Sequence, residues 1–226
     1  SLKIINDFEA QAMAVEHLAA ADIKVIHGEI FEESVCRNIA GPGTGFGNAL
    51  LYQKNGAWNI LPTEAGHCVI GSCSPLEDEI FKRVKMDSNT KEPYGELFVS
   101  GGGILRIYNA LKEINGISGG FTTTLDISAN AESDATAKQT MEVFYGLLGT
   151  LLANIALSYL PYGGIYLTGG IIPQTLNTDM EKILIDRFLD RKLDTVKAIL
   201  YKIPLAVITR ENPAMLGLAK HVSSII

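Results

Sequence analysis

Gly41-Pro42-Gly43-Thr44-Gly45-Phe46-Gly47 has a glycine at every second position, a pattern that suits neither a helix nor a well-packed strand. Glycine allows positive φ and a close approach of the backbone to a ligand. The apolar pair Ile39-Ala40 precedes this glycine loop and Ala49-Leu50-Leu51-Tyr52 follows it, which predicts a strand, a loop and a second strand. Such a loop can present backbone N–H groups to a phosphate, but neither common phosphate motif is present. A tight hairpin turn and a phosphate-binding loop both remain open.

The composition of the chain is that of a folded protein with a sizeable core. It has 226 residues, of which 47% are hydrophobic and 19% charged, enough for one large α/β domain or two small ones. The net charge of −6 excludes nucleic acid as an expected partner, because little would neutralise a phosphate backbone. Cys36, Cys68 and Cys73 are odd in number and form no CxxC pair, which predicts a reducing, cytoplasmic setting.

One apolar segment, from Met141 to Leu160, is close to the roughly 20 residues that cross a bilayer. Glu142 and Asn154 interrupt it, and no basic cluster flanks it. The segment therefore predicts a buried central helix, and no membrane partner is expected.

Strand-like and helix-like segments alternate along the chain, which predicts a layered α/β domain. The Asn55-Gly56 pair is a hairpin signal and adds antiparallel strands beside the glycine loop. The predicted strands are Ile23–Ile26, Val35–Ala40, Ala49–Tyr52, Trp58–Leu61, Ile165–Thr168 and Leu205–Ile208. The predicted helices are Phe8–Ala21, Pro75–Lys85, Ile104–Ile114, Asp134–Tyr159, Met180–Leu189 and a last one that begins at Pro213.

Asp7, Glu64, His67 and Glu96 are ionisable residues at places where a strand or apolar run breaks into a loop. Loops at strand ends are where α/β domains place their sites. Asp7 and its neighbour Asn6 can equally cap the following helix, and any of the four can be a solvated loop residue.

Two other sets of residues are weaker signals. His67, Cys68 and Cys73 match no usual zinc spacing, so no protein metal site is predicted. Gly169-Gly170 ends a buried strand and Gly101-Gly102-Gly103 precedes a helix, so a nucleotide could approach the backbone at either place. Helix–strand packing explains both glycine groups as well.

Taken together and in order, these pieces resemble bacterial glucokinase of the hexokinase–actin superfamily. The resemblance implies a ribonuclease H-like α/β lobe, with a mixed sheet flanked by helices. It also implies phosphorylation of the 6-hydroxyl of glucose by ATP with Mg²⁺. Six stretches carry it: Ile4-Ile5-Asn6-Asp7-Phe8, Gly41 to Gly47, Leu61-Pro62-Thr63-Glu64-Ala65-Gly66-His67, Glu96 to Gly101, Leu167-Thr168-Gly169-Gly170-Ile171-Ile172-Pro173, and Asn212-Pro213-Ala214-Met215-Leu216-Gly217.

The resemblance assigns a role to each matching position. Asp7 falls on the general base, which accepts the hydroxyl proton during in-line transfer of the γ-phosphoryl group. The sugar-binding positions are Asn6, Glu64, His67 and Glu96, and the cofactor-binding positions are Gly41, Gly43, Thr44 and Gly45 for phosphate with Gly169 and Gly170 for adenosine. Carboxylates, an amide and an imidazole suit the hydroxyls of glucose or a related hexose.

The chain departs from the family pattern in three ways. Thr63 and Ala65 replace glycines, which can change loop conformation or sugar preference. The cysteine-rich zinc motif of the related repressor–kinase branch is missing. The family's N-terminal Asp-x-Gly-Gly-Thr phosphate loop has no counterpart, so we expect residues 3–226 to be the larger C-terminal lobe, without its N-terminal phosphate-binding partner.

These departures leave alternatives open. We expect an inactive or weakly active fragment of a glucose kinase, and apolar surface uncovered by the missing lobe would favour a homodimer. A non-catalytic sugar-binding or interaction domain, or a kinase for another hexose or an amino sugar, are the other interpretations.

Overall fold

The structure is a computed structural model that describes residues 6–31 and 33–223, with side chains as far as residue 219. Ile4 and Ile5, which begin the first of the six matching stretches, lie outside the described residues. The strands are β1 (Ile23–His27), β2 (Cys36–Pro42), β3 (Phe46–Lys54), β4 (Ala57–Thr63), β5 (Ile165–Leu167) and β6 (Leu205–Ile208). The helices are α1 (Asp7–Ala14), α2 (Pro75–Asp87), α3 (Gly95–Phe98), α4 (Gly101–Asn115), α5 (Thr124–Ala129), α6 (Ala135–Tyr159), α7 (Ile172–Thr175), α8 (Thr178–Leu189), α9 (Asp194–Leu200) and α10 (Pro213–Ser223).

The described strands form one six-stranded mixed sheet in the order β1-β6-β5-β2-β3-β4. β5 runs parallel to β2 and to β6, while the other neighbours are antiparallel. The predicted hairpin at Asn55-Gly56 is confirmed, since both residues have positive φ (54° and 76°) between paired Lys54 and Ala57. The mixed sheet places the ends of β2 and β5 side by side.

The central strands are buried on both faces, as short parallel strands in α/β proteins usually are. Ile39 and Tyr166 belong to one apolar cluster, which also contains Ala12 of α1. Their neighbours Ala40 and Leu167 belong to the other cluster, built mainly from α4, α6 and α8. Side chains alternate across a strand, so each central strand packs against helices on both sides.

Helix α6 is the central helix of the larger cluster, and the prediction of a buried helix is confirmed. Asp134 caps its start by accepting a hydrogen bond from the Ala137 N–H at 2.7 Å. The helix is long and apolar enough to cross a membrane, but 78% of its most apolar segment is buried inside the fold. Its apolar surface is therefore used in packing against the sheet and neighbouring helices.

Helices α1 and α10 pack together with very close backbones. A Cβ atom on Gly217 would lie 2.0 Å from the carbonyl oxygen of Ala10, a distance that no side chain can occupy. The α10 start at Pro213 is as predicted. The glycine thus allows the last helix to lie directly against α1.

The predicted helix Phe8–Ala21 is wrong in its second half, because α1 ends at Ala14 and only 3₁₀ turns follow. Leu18 and Ala19 are extended, with ψ of 132° and 159°. The Asp22 carboxylate accepts a hydrogen bond from the Ala19 N–H at 3.0 Å. Such side-chain bonds compete with the helical pattern, and here they redirect the chain into β1.

The start of α4 also differs from the prediction, at Gly101 instead of Ile104. The Ser100 hydroxyl accepts a hydrogen bond from the Gly103 N–H at 3.0 Å and so caps the helix. Helices α3, α5, α7 and α9 were not predicted. Each has only four to seven residues, too few for a periodic pattern to identify.

Candidate active site

A cleft of about 620 Å³ opens where β2, β3 and β5 meet the start of α1. It contains every predicted site residue except His67. Its lining consists of Asn6, Asp7, Phe8, Gln11, Gly41, Gly43, Thr44, Gly45, Phe46, Gly47, Asn48, Pro62, Thr63, Glu64, Glu96, Gly169 and Gly170. Residues from five separate parts of the sequence thus meet in one concave site.

The glycine loop is a hairpin turn that also lines the cleft. Pro42 and Phe46 still pair across β2 and β3, and the Gly43 N–H donates to the carbonyl oxygen of Gly45 at 2.8 Å. The hairpin turn is therefore confirmed. Its contact with phosphate stays a prediction.

Two glycines let the chain segments that end β2 and follow β5 approach each other closely. A Cβ on Gly41 would lie 2.2 Å from the Thr168 carbonyl oxygen, and one on Gly169 would lie 2.5 Å from that of Pro42. Gly169 also has φ of +98°, which L side chains rarely adopt. This close approach places the glycine loop beside the Gly169-Gly170 segment, and both segments line the cleft.

Phe8 fixes the start of α1 against the glycine loop. A Cβ on Gly47 would lie 1.9 Å from the Phe8 ring, so the ring occupies the space that a larger residue would fill. This contact places Asp7, the neighbouring residue, at the rim of the cleft.

Asn6 and Asp7 cap α1 and line the cleft at the same time. The Phe8 N–H donates to Asn6 Oδ1 at 2.8 Å and to Asp7 Oδ1 at 2.9 Å, and the Asn6 N–H donates to the Glu9 carboxylate at 3.0 Å. The capping role, left open by the sequence, is therefore present.

Glu96 connects the short helix α3 to the glycine loop. Its Oε2 accepts a hydrogen bond from the Phe46 N–H at 2.8 Å. A Cβ on Gly45 would lie 2.6 Å from the same oxygen, so glycine is needed for the carboxylate to come this close. The side chain thus contacts the loop and the cleft together.

Glu64 and His67 form the outer edge of the site. His67 Nδ1 lies 3.8 Å from Glu64 Oε2, and the two side chains are 58% and 89% exposed. The His67 ring stacks on Tyr94 with a centroid distance of 5.5 Å. His67 lies beside the cleft, next to Glu64, and is the one predicted site residue that does not line it.

Thr63 and Ala65, the two replacements of family glycines, adopt ordinary backbone conformations. The described non-glycine residues with positive φ are Asn55, Asn89, Leu160 and Asn212. The loop that carries Glu64 therefore does not require glycine at either position.

Several residues of the cleft were missed in the sequence. Gln11 lies one helical turn after Asp7, and its Oε1 accepts a hydrogen bond from the Thr168 hydroxyl at 2.8 Å. The spacing of four residues could have identified Gln11, since such residues share a helix face. Asn48 is also a missed lining residue, and Thr63, named in the sequence only as a replaced glycine, lines the cleft as well. Polar residues at opposed strand ends give no comparable signal.

Among the described residues, no three His, Cys, Asp or Glu side chains are grouped to hold a metal ion. Mg²⁺ in phosphate-transfer sites commonly needs only one or two carboxylates, with phosphates and water completing its shell. The carboxylates of Asp7, Glu64 and Glu96 in the cleft fit that lighter requirement.

Comparisons with known proteins agree with this geometry. The family model described as Glucokinase matches residues 1–225. A glucokinase of Mesorhizobium japonicum is 34% identical over 221 residues, covering 96% of this chain and 63% of that protein. A glucokinase-like protein of Xylella fastidiosa is 33% identical over 221 residues, covering 97% of this chain and 65% of its own length. The chain thus spans less than two thirds of these relatives.

Solved structures have the same fold. A glucokinase from an Antarctic psychrotroph superimposes with a TM-score of 0.86 at 27% identity, over 97% of this chain and 68% of that one. A Balamuthia mandrillaris glucokinase in complex with glucose gives 0.83 at 20% identity, over 94% of this chain and 63% of that one. A ROK family glucokinase from Streptomyces griseus, in complex with glucose and AMPPNP, gives a TM-score of 0.62 at 16% identity, over 96% of this chain and 67% of that one. The predicted α/β fold, a mixed sheet flanked by helices, is confirmed.

Proposed function

Because the chain belongs to the glucokinase family, we propose that the protein transfers the γ-phosphoryl group of ATP to the 6-hydroxyl of glucose. The observation that carries this proposal is the cleft itself. It brings Asp7, two further carboxylates and the glycine loop to one site, which is what a base, a sugar and a phosphate chain would require together.

Asp7 is the proposed general base. The hydrogen bonds described for its side chain engage Oδ1, which accepts from the Phe8 N–H, and Oδ2 is left to accept the proton of the hexose hydroxyl. The hydroxyl oxygen would then attack the γ-phosphorus in line with the leaving β-phosphate oxygen. Phosphoryl transfer depends mainly on positioning and charge neutralisation, and the contact between Phe8 and Gly47 supplies positioning at Asp7.

The hexose would lie between Asp7 and the two glutamates. Carboxylates accept hydrogen bonds from hydroxyls, whereas the Asn6 amide can both donate and accept. His67, beside Glu64, would reach the sugar from outside the cleft. The proposed sugar-binding residues are Asn6, Glu64, His67 and Glu96.

The nucleotide would lie along the other wall of the cleft, where the glycine loop and the Gly169-Gly170 segment approach each other. Gly41, Gly43, Thr44 and Gly45 are the proposed phosphate contacts, and Gly169 and Gly170 the proposed adenosine contacts. Mg²⁺ would be held by the nucleotide phosphates, water and a cleft carboxylate, and its charge would offset that of the phosphates.

The domain assignment is also a proposal. The chain aligns with 63–65% of the length of its relatives, and we infer that residues 3–226 correspond to their larger, C-terminal lobe. Closure of a second lobe over the cleft would then be required for efficient transfer. Free Cys36, Cys68 and Cys73 are compatible with a cytoplasmic setting, and a homodimer is an expectation to be measured.

The decisive experiment compares Asp7→Asn with the wild type, in the protein as its natural gene encodes it, by measuring ADP release with glucose and MgATP. We expect kcat to fall by about 10²–10⁴, with glucose affinity changed only a few-fold. Asp179→Asn is the matched control, because Asp179 is an exposed acid in the first turn of α8, which also follows an asparagine cap. A wild-type protein that phosphorylates no hexose would overturn the proposal.

A further inference from the structure

Three polar side chains form a ladder across the sheet beside the cleft: Asn38 of β2, Asn48 of β3 and Thr63 of β4. The Thr63 hydroxyl donates to Asn48 Oδ1 at 2.6 Å, and Asn48 Nδ2 donates to Asn38 Oδ1 at 2.9 Å. The same Nδ2 also donates to the Ile39 carbonyl oxygen at 3.0 Å. Asn48 and Thr63 are direct partners in the strand register.

The two asparagines of the ladder are buried, Thr63 is half-buried, and all three side chains are joined by hydrogen bonds. Asn38 and Asn48 are 0% and 3% exposed. Burying an amide costs free energy unless its donors and acceptor are paired, and the Asn48 amide is paired on both sides. A satisfied buried network permits few alternative arrangements. The position of Thr63 is therefore fixed relative to β2 and β3.

Thr63 is the last residue of β4, and the next residue is Glu64. The Glu64 side chain is 89% exposed, and the described ionisable group beside it is the His67 imidazole, whose Nδ1 lies 3.8 Å from Glu64 Oε2, beyond hydrogen-bonding distance. Its placement therefore depends on the backbone. That backbone is held on one side by the Thr63 ladder and on the other by the Glu64 carbonyl oxygen, which accepts from the His67 N–H at 2.9 Å.

We propose that Thr63, through its hydrogen bond to Asn48, is a positioning residue that holds Glu64 ready for the hexose. The inference rests on the proposed function, since it assigns Glu64 to the sugar. Without the hydroxyl bond, the end of β4 can shift, and part of the binding free energy goes into ordering Glu64. Glu64 contacts sugar rather than the transferring phosphate, so its interactions are similar before and in the transition state. Loss of such uniform binding raises KM and leaves kcat unchanged.

The test uses the natural full-length protein with Thr63→Val, which removes the hydroxyl at nearly constant volume. We expect the KM for glucose to rise about tenfold, with kcat and the KM for ATP within about twofold of wild type. Thr63→Ser should restore the glucose KM, because serine keeps the hydroxyl. Thr140→Val is the structural control, since the Thr140 side chain is more deeply buried than that of Thr63 and its hydroxyl donates within α6 to the Thr136 carbonyl oxygen.

A double-mutant cycle separates positioning from general loosening of the cleft. If Thr63 acts through Glu64, adding Thr63→Val to Glu64→Gln should raise the glucose KM by less than twofold further. Full additivity of the two changes would overturn the inference. A Thr63→Val protein with the wild-type glucose KM would also overturn it. So would an equal rise in the glucose KM of Thr140→Val, because loss of stability alone would then explain the effect of Thr63→Val.

Direct calorimetric titration with glucose distinguishes failure of this inference from failure of the proposed function. A wild-type protein that binds and phosphorylates glucose, with Thr63→Val indistinguishable from it, overturns only the positioning role. A wild-type protein that binds glucose without turnover overturns the proposed function. The double-mutant cycle then compares dissociation constants for glucose in place of KM values. A wild-type protein that does neither overturns both.

Discussion

Glu77 and Arg187 form a two-pronged ion pair that joins α2 to α8, with N–O distances of 2.6 and 3.2 Å. Glu77 is only 3% exposed, and its Oε2 also accepts a hydrogen bond from the Cys73 N–H at 2.6 Å. The hydrogen bond to Glu77 raises the pKa of Arg187 above its ordinary value. Glu77 therefore links the loop before α2, through Cys73, to helix α8, through Arg187.

Breaking this pair should destabilise the fold. Glu77→Gln leaves the half-buried Arg187 guanidinium without a counter-charge, and we expect a loss of about 3 kcal/mol in the free energy of unfolding. Glu79→Gln on the same helix is the control, because its pair with Arg83 is solvent-exposed and should matter little. Urea denaturation of both variants provides the comparison. Equal effects would contradict the role of burial.

Gly47→Ala should displace the start of α1. The added Cβ would lie 1.9 Å from the Phe8 ring, so the ring must move, at an expected cost of about 1–3 kcal/mol in the free energy of unfolding. Gly43→Ala in the same loop meets nothing within 4 Å and should leave stability nearly unchanged. Thermal unfolding of the two variants is the measurement. An unchanged Gly47→Ala protein would show that Phe8 does not fix α1.

Substitutions of Glu96 should separate its two contacts. Glu96→Gln keeps an oxygen for the Phe46 N–H but loses the charge, so we expect weaker hexose binding, by about tenfold, with the KM for ATP unchanged. Glu96→Ala loses both contacts and should raise both KM values. The contrary result is an ATP KM that stays constant in both variants, since the hydrogen bond to Phe46 would then not order the glycine loop.

Stability should depend on pH through His27. Its Nε2 is buried without a described partner, and its ring lies near Phe188 and Tyr201. Burial lowers the pKa of His27 below the ordinary 6.5, with the Leu200 backbone acting in the opposite direction. The unfolded chain therefore binds the proton more readily, so this contribution is present above pH 6.5 and is lost as the pH falls below it.

The comparison of wild type with His27→Gln tests this sign. Guanidinium titrations between about pH 5 and 7 should show a shallower fall in stability for the variant, because it has no proton to take up. Parallel curves for the two proteins would mean that His27 does not report on folding.

Much of the sheet was predictable from local chemistry. The strand at residues 165–167 is an uninterrupted apolar run, because both of its faces are covered, and Asn55-Gly56 has the positive φ values that its turn requires. The end of α1 was not predictable in the same way. Its apolar spacing continues beyond Ala14, and the Asp22–Ala19 hydrogen bond that accompanies the turn into β1 has no counterpart in that spacing.

The residues of the candidate site also differ in how far the sequence could identify them. The glycine loop and Asp7 stand out in the sequence because, together with four other stretches in the same order, they match the pattern of a known family. Asn48 and Thr63 do not, since their importance comes from being opposed across two strands. His67 was expected with the other site residues, but its stacking on Tyr94 holds it outside the cleft lining.

The absence of a side chain at Gly217 has a mechanical consequence. With the backbone of α10 directly against Ala10, the last helix and the helix that begins at Asp7 have little room to slide past each other. A pulling force applied to α10 would therefore load α1 before it reached the sheet. In an optical trap, the end of α1 should yield before the parallel pair of β5 and β6 separates.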